Sequence, residues 1–149
     1  MRIFLDANLL FSASKTDGAI RRFIDLLLKS GHTLVADPYV QKDAERNIQL
    51  KYPASWQDLA DILHKISMLP SATTPELLDA SVLLDEKDRP VPAAAIKADC
   101  GLLITGDATH FGILFGKTVQ GVLILNPRQA AEMLDGLVAS RIQKNSKQA

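Results

Sequence analysis

Four aspartates stand where carboxylates can do chemistry. Asp6 follows the apolar run Arg2–Leu5, and Asp107 follows the run 101–105 across Gly106. In open α/β sheets the ligand crevice lies beyond the carboxyl ends of the strands, so aspartates closing two neighbouring strands would project into one crevice. Either aspartate alone is as well explained by a turn or a helix cap; the pair together is not. Asp88 precedes a proline-led segment at 90–98, the place of an N-cap, and a cap at that end also faces the crevice. In the segment after Asp37-Pro38, three polar residues compete: Asp43, Glu45 and Asn47. At about 100° per residue, Val40, Ala44, Ile48 and Leu50 define a buried arc that Asp43 flanks and Asn47 falls within, while Glu45 points to solvent. Helix phase therefore selects Asp43, with Glu45 as the fallback.

Four carboxylates in one crevice cannot all stay ionised without a counterion. Mg²⁺ or Mn²⁺ resolves the conflict, because hard cations take oxygen ligands and Mg²⁺ keeps waters, leaving positions open for a substrate phosphate. Such an ion lowers the pKa of its bound water and neutralises charge on a phosphodiester transition state. Asn8, two residues after Asp6, is placed to hold the Asp6 carboxylate or to satisfy the turn, and the Thr105 hydroxyl to orient Asp107. His110, beside Phe111, reads as a structural histidine rather than a general base. Lys15, Arg46 and Arg89 stand near the motifs as candidate phosphate contacts. Rival chemistries lack their motifs: there is no Gly-x-Ser-x-Gly elbow, Walker loop or Gly-x-Gly-x-x-Gly.

Positioning these acids requires a particular set of elements. Arg2–Leu5, Thr33–Ala36 and the runs 101–105 and 121–125 are short, continuously apolar and bounded by Asp, Gly or Asn-Pro, the pattern of buried parallel strands; 66–69 is a fainter fifth. Between them lie helical patterns at Ala19–Lys29, 39–51, 56–65, 90–98 and 128–138. Alternating strands and helices imply an α/β fold whose parallel sheet is covered on both faces. With no linker or repeat, 149 residues suit one domain over 1–140, followed by a polar tail at 141–149.

Composition narrows the partners less than the chemistry. Seventeen basic residues balance 17 acidic ones, so no global field draws in nucleic acid, although a basic rim can surround an acidic centre. No apolar run approaches the 18 or so residues of a membrane span, and the early Asp6 does not suit a secretory signal, so a cytoplasmic protein is expected. The single cysteine, Cys100, excludes an intramolecular disulfide and a cysteine-based zinc site.

The segments RIFLDANLLFSA, PYVQKDAERNIQLKYP, DRPVPAAAIKADCGLLITGDATHFG and GVLILNPRQAAEML resemble a PIN domain over roughly residues 2–137. The resemblance is to bacterial PIN proteins that are toxins of toxin–antitoxin pairs, of the VapC-like kind. It implies a three-layer α/β/α fold on a five-stranded parallel sheet of order 3-2-1-4-5. It also implies a Mg²⁺- or Mn²⁺-dependent ribonuclease cutting single-stranded RNA, with its acidic quartet at Asp6, Asp43, Asp88 and Asp107. An antitoxin that blocks the crevice and a homodimer are further implications. Two positions depart from the family pattern: Asp43 stands where glutamate is common, and Pro92 where leucine is common. The alternative reading is a PIN-fold module that binds RNA or protein without cutting.

Overall fold

The computed structural model describes residues 1–135. The first strand, β1 (Arg2–Leu5), buries Ile3, Phe4 and Leu5 completely, as a continuous apolar run in the middle of a parallel sheet must. Each such side chain contributes about 1.5–3 kcal/mol by leaving water. The chain continues through α1 (Ala7–Lys15), α2 (Ala19–Lys29), β2 (Thr33–Ala36), α3 (Pro38–Lys51), α4 (Trp56–His64) and β3 (Ser67–Met68). A long connection with two single 3-10 turns leads to α5 (Pro90–Lys97), β4 (Leu102–Ile104), α6 (Ala108–Phe111), β5 (Thr118–Val119) and β6 (Val122–Leu125). Residues 127–135 are helical.

The sheet order is β3-β2-β1-β4-β6-β5, and helices complete a three-layer α/β arrangement. Its first five positions reproduce the expected order of parallel strands. The sixth strand is a correction. Thr118–Val119 pairs antiparallel with Val122–Leu125, so the sheet has six strands and is mostly, not wholly, parallel. Gln120 and Gly121 both have positive φ (47° and 88°), the backbone of a two-residue type I′ hairpin turn. Glycine adopts this freely; Gln120 does so at a cost.

Register is what brings the site together. β1 lies between β2 and β4, with Leu5 opposite Ile104. One residue further on, Asp6 N–H donates to the Ile104 carbonyl at 3.1 Å. Asp6 and Thr105 therefore emerge side by side at the carboxyl end of the sheet.

Three further expectations are corrected. Leu50 is 74% exposed rather than in the buried arc of α3; it comes two residues after buried Ile48 and so turns to the opposite side of the helix. Asp88 does not cap α5: it ends a 3-10 turn (Glu86–Asp88), and the cap position falls to Arg89. Arg89 is not free to meet phosphate, because its guanidinium donates to the carbonyls of Leu78, Asp79 and Val82 and ties down the long connection. The end of the 128–138 helix and the polar tail at 141–149 lie outside the described residues.

Candidate active site

Asp6 is held from three sides. Its Oδ1 caps α1 by accepting from Ala7 N–H at 2.7 Å, and its Oδ2 accepts from Thr105 Oγ1 at 2.8 Å and Asn8 Nδ2 at 3.2 Å. Thr105 is fully buried and its hydroxyl also accepts from the Asp107 N–H at 3.2 Å. Asn8 reaches across to the other strand end, where its Oδ1 accepts from Gly106 N–H at 2.7 Å. A Cβ at Gly106 would sit 3.1 Å from that oxygen, so glycine allows this close approach. Asn8 and Thr105 thus both bind the Asp6 carboxylate; the Thr105 hydroxyl, expected to orient Asp107, meets that residue only through its backbone N–H.

Asp107 caps the short helix α6. Its Oδ1 accepts from His110 N–H at 3.1 Å, and its Oδ2 lies 2.7 Å from His110 Nδ1. Burial acts to raise the Asp107 pKa, but the His110 hydrogen bonds outweigh it and the net shift is downward. The same side-chain bond raises the pKa of His110. Asp43 projects from α3, pairs with Arg46, and shares its carbonyl with Asn47 Nδ2 at 2.9 Å. Asp88 differs from the other three: its carboxylate makes no hydrogen bond among the described residues, and its Oδ2 is buried without a partner.

Asp6, Asp43, Asp88 and Asp107 line one cavity of about 420 Å³, together with Asn8 and Gly106. Glu45 does not line it, which leaves Asp43 as the α3 acid that reaches the crevice. A larger hollow of about 680 Å³ lies beside it, under the connection after β3, but none of the four aspartates reaches it. Crowding shows in the electrostatics. Burial, reinforced by the charges of Asp43 and Asp107, pushes Asp6 up to about 6 despite its hydrogen bonds. Burial also raises Asp88, opposed by His110 and Lys87 and assisted by Asp107 and Asp85.

This donor set fits a hard divalent cation: all four groups offer carboxylate oxygen, one oxygen is buried and unpartnered, and the acids share one negative pocket. The four aspartates are not in tight contact, however. Among the described residues the group with three ligand atoms within 4.8 Å of one another is Asp85, Asp88 and His110. From the sequence, His110 reads as a structural histidine beside Asp107 and Asp85 as part of a solvated loop; the structure brings both to Asp88. The available signal was spacing, since a histidine three residues after a capping aspartate turns back toward its carboxylate.

The fold and crevice together define an α/β protein with acidic side chains gathered at the carboxyl end of a mostly parallel sheet. The profile of the PIN domain matches residues 2–109, well over half of the chain. The chain belongs to the PIN-domain family. No curated protein sequence matches it. Among solved structures it is similar to VapBC2 from Rickettsia felis bound to a DNA fragment from its promoter, at 16% identity and a TM-score of 0.61, covering 85% of this chain and 98% of that one. It is also similar to VapBC-1 from nontypeable Haemophilus influenzae, at 13% identity and a TM-score of 0.59, covering 86% and 99%. At these identities the likeness is one of fold.

Proposed function

We propose that this chain is a divalent-metal-dependent endoribonuclease that hydrolyses phosphodiester bonds of single-stranded RNA, acting as the toxin of a toxin–antitoxin pair. The observation that carries the reading is that four aspartates from distant parts of the chain line one cavity, with a buried Asp88 oxygen left unpartnered. Family membership supports it.

Asp6, Asp88 and Asp107 would hold Mg²⁺ or Mn²⁺, with Asp43 as a further ligand or as the group that holds the attacking water. Among the described residues no three of the aspartates bring ligand atoms within 4.8 Å of one another, and Mg²⁺ is commonly bound through one or two carboxylates and retained waters. When bound, the ion supplies a water of lowered pKa and offsets charge on the phosphoryl oxygens. The chain's own residues supply aim. Ala7 N–H, Thr105 Oγ1 and Asn8 Nδ2 fix both oxygens of Asp6, so its orientation needs no adjustment on ligand binding. His110 fixes both oxygens of Asp107.

The similarity to VapBC structures supports an antitoxin as the partner. An arginine entering the acidic crevice would form charge-assisted bonds there and exclude the ion. A homodimer is part of the same reading, as is work in the cytoplasm, where RNA is found. No described helix is long and apolar enough to cross a membrane.

The test is cleavage of single-stranded RNA in Mn²⁺ by the parent, Asp6→Asn and Asp107→Asn proteins. Both substitutions remove a charge and keep the shape, so a loss on the order of 100-fold or more is expected, beyond the loss typical of residues one step removed from a metal. Cleavage at the parent rate in both variants would refute the reading.

A further inference from the structure

On the flank of the acidic crevice, the C-terminal ends of α1 and α3 bring two rings and two ammonium groups together. Phe11 and Tyr52 lie with ring centres 5.7 Å apart and planes inclined at 57°. Lys15 Nζ sits 5.5 Å from the Phe11 ring centre and 6.0 Å from that of Tyr52, and Lys51 Nζ sits 5.6 Å from the Phe11 ring centre. Tyr52 is 45% exposed, a large aromatic surface left in water at the end of a helix. Among the described residues neither lysine has a carboxylate within 4 Å, although other surface cations do. Two like charges are thus gathered around one ring, neither of them in a close ion pair. Phe11 and Lys51 also line the cavity that holds the four aspartates, so this patch is continuous with the crevice.

We propose that the exposed Tyr52 ring, backed by the half-buried Phe11 and flanked by Lys15 and Lys51, forms a stacking platform for single-stranded RNA, which leads the strand into the acidic crevice. The proposal rests on the ribonuclease reading for the strand's destination. An exposed ring that accepts a base face, flanked by cations that bind the adjoining phosphates, supplies the two components of single-strand recognition. The acidic centre repels a polyanion, so binding must come from the rim. Arg46 is engaged by Asp43 and Arg89 by backbone carbonyls. Lys15 and Lys51 stand without a carboxylate within 4 Å among the described residues, as does Lys87 across the same cavity, and only Lys15 and Lys51 are gathered at the Phe11–Tyr52 ring pair. Because stacking is indifferent to base identity, the platform confers strand affinity rather than sequence choice.

The test is fluorescence anisotropy of a labelled oligouridylate of about 12 nucleotides, within the span of such sites, on the full chain with metal chelated. Tyr52→Ala is expected to weaken binding roughly 5- to 150-fold, the range of one lost base stack, and Tyr52→Phe to bind like the parent. Lys15→Gln is expected to flatten the dependence of log affinity on log salt by about 0.7, one phosphate contact on a single strand. Parent-like binding by Tyr52→Ala, or no binding by the parent, overturns the platform. Cleavage in Mn²⁺ separates the two readings. If parent and Tyr52→Ala cut the oligomer equally well, the nuclease reading stands and the platform falls. If the parent does not cut but binds through Tyr52, the platform stands and the nuclease reading falls. Should Tyr52→Ala fail to fold, the Lys15→Gln salt slope decides alone.

Discussion

The two sides of the crevice are built on opposite plans. On the β1–β4 side, Asp6 is almost fully buried, and its oxygens, the Thr105 hydroxyl and the Asn8 amide are joined in one hydrogen-bonded group. On the opposite side, Asp88 ends a 3-10 turn in the long connection, half-buried beside Asp85 and His110, with one oxygen unpartnered. The first side is set by sheet register and exists without a ligand. The second keeps a carboxylate oxygen that the described residues leave unpartnered. Under the proposed metal-dependent reading, the first wall would fix the position of the ion and the second would hold it.

Asp88→Asn probes the contrast most strongly. Mn²⁺ affinity measured by calorimetry is expected to fall on the order of 100-fold or more, beyond the range for residues one step removed from a metal. Metal-free thermal stability should stay level or rise, because the substitution removes a carboxylate whose charged form is disfavoured by burial. A drop in melting temperature would show that Asp88 is as structurally satisfied as Asp6. Thr105→Val comes next. It strips a donor from Asp6 and an acceptor from the Asp107 N–H, so urea denaturation should show a loss of about 1–3 kcal/mol. Mn²⁺ affinity should fall about 10- to 100-fold as Asp6 loses its orientation.

The protonation of Asp6 gives a third, smaller signal. Its folded-state pKa of about 6 lies above the ordinary 3.8, so between those values the folded protein binds more protons than the unfolded one. Metal-free stability contributed by this group therefore falls as pH rises from 3.8 to about 6 and is level above that. Asp6→Asn should remove this slope in pH-dependent melting, and Mn²⁺ should oppose it in the parent. The smallest effect is expected from Gly106→Ala. The added methyl would press on Asn8 Oδ1 at 3.1 Å, costing about 1 kcal/mol in chemical denaturation if Asn8 cannot give way.

The same contrast explains what could be read from the sequence. β1, β2 and α2 match their expected bounds because each is a short apolar run or a clean amphipathic stripe with turn residues at its ends. Asp6 and Thr105 are legible for the same reason: strand ends in a parallel sheet have predictable neighbours. Helix α1 escaped detection because it buries Ala7, Leu9, Leu10, Ala13 and Ser14 among several other helices, leaving no single polar face to mark it. Strand β5 has only two residues, and its Gln120-Gly121 turn lacks the Asn or Asp that usually announces such a hairpin. The position of Asp88 depends on a connection anchored by Arg89 to three carbonyls, and no periodicity encodes that.

Both margins of the sheet are formed by strands of only two residues, Ser67–Met68 on one side and Thr118–Val119 on the other. An open margin that short offers another polypeptide almost no ladder to extend, which is a common protection against fibril growth. Any assembly of this molecule with a copy or a different chain is thereby directed to its helices and loops, where side-chain chemistry rather than backbone templating selects the companion.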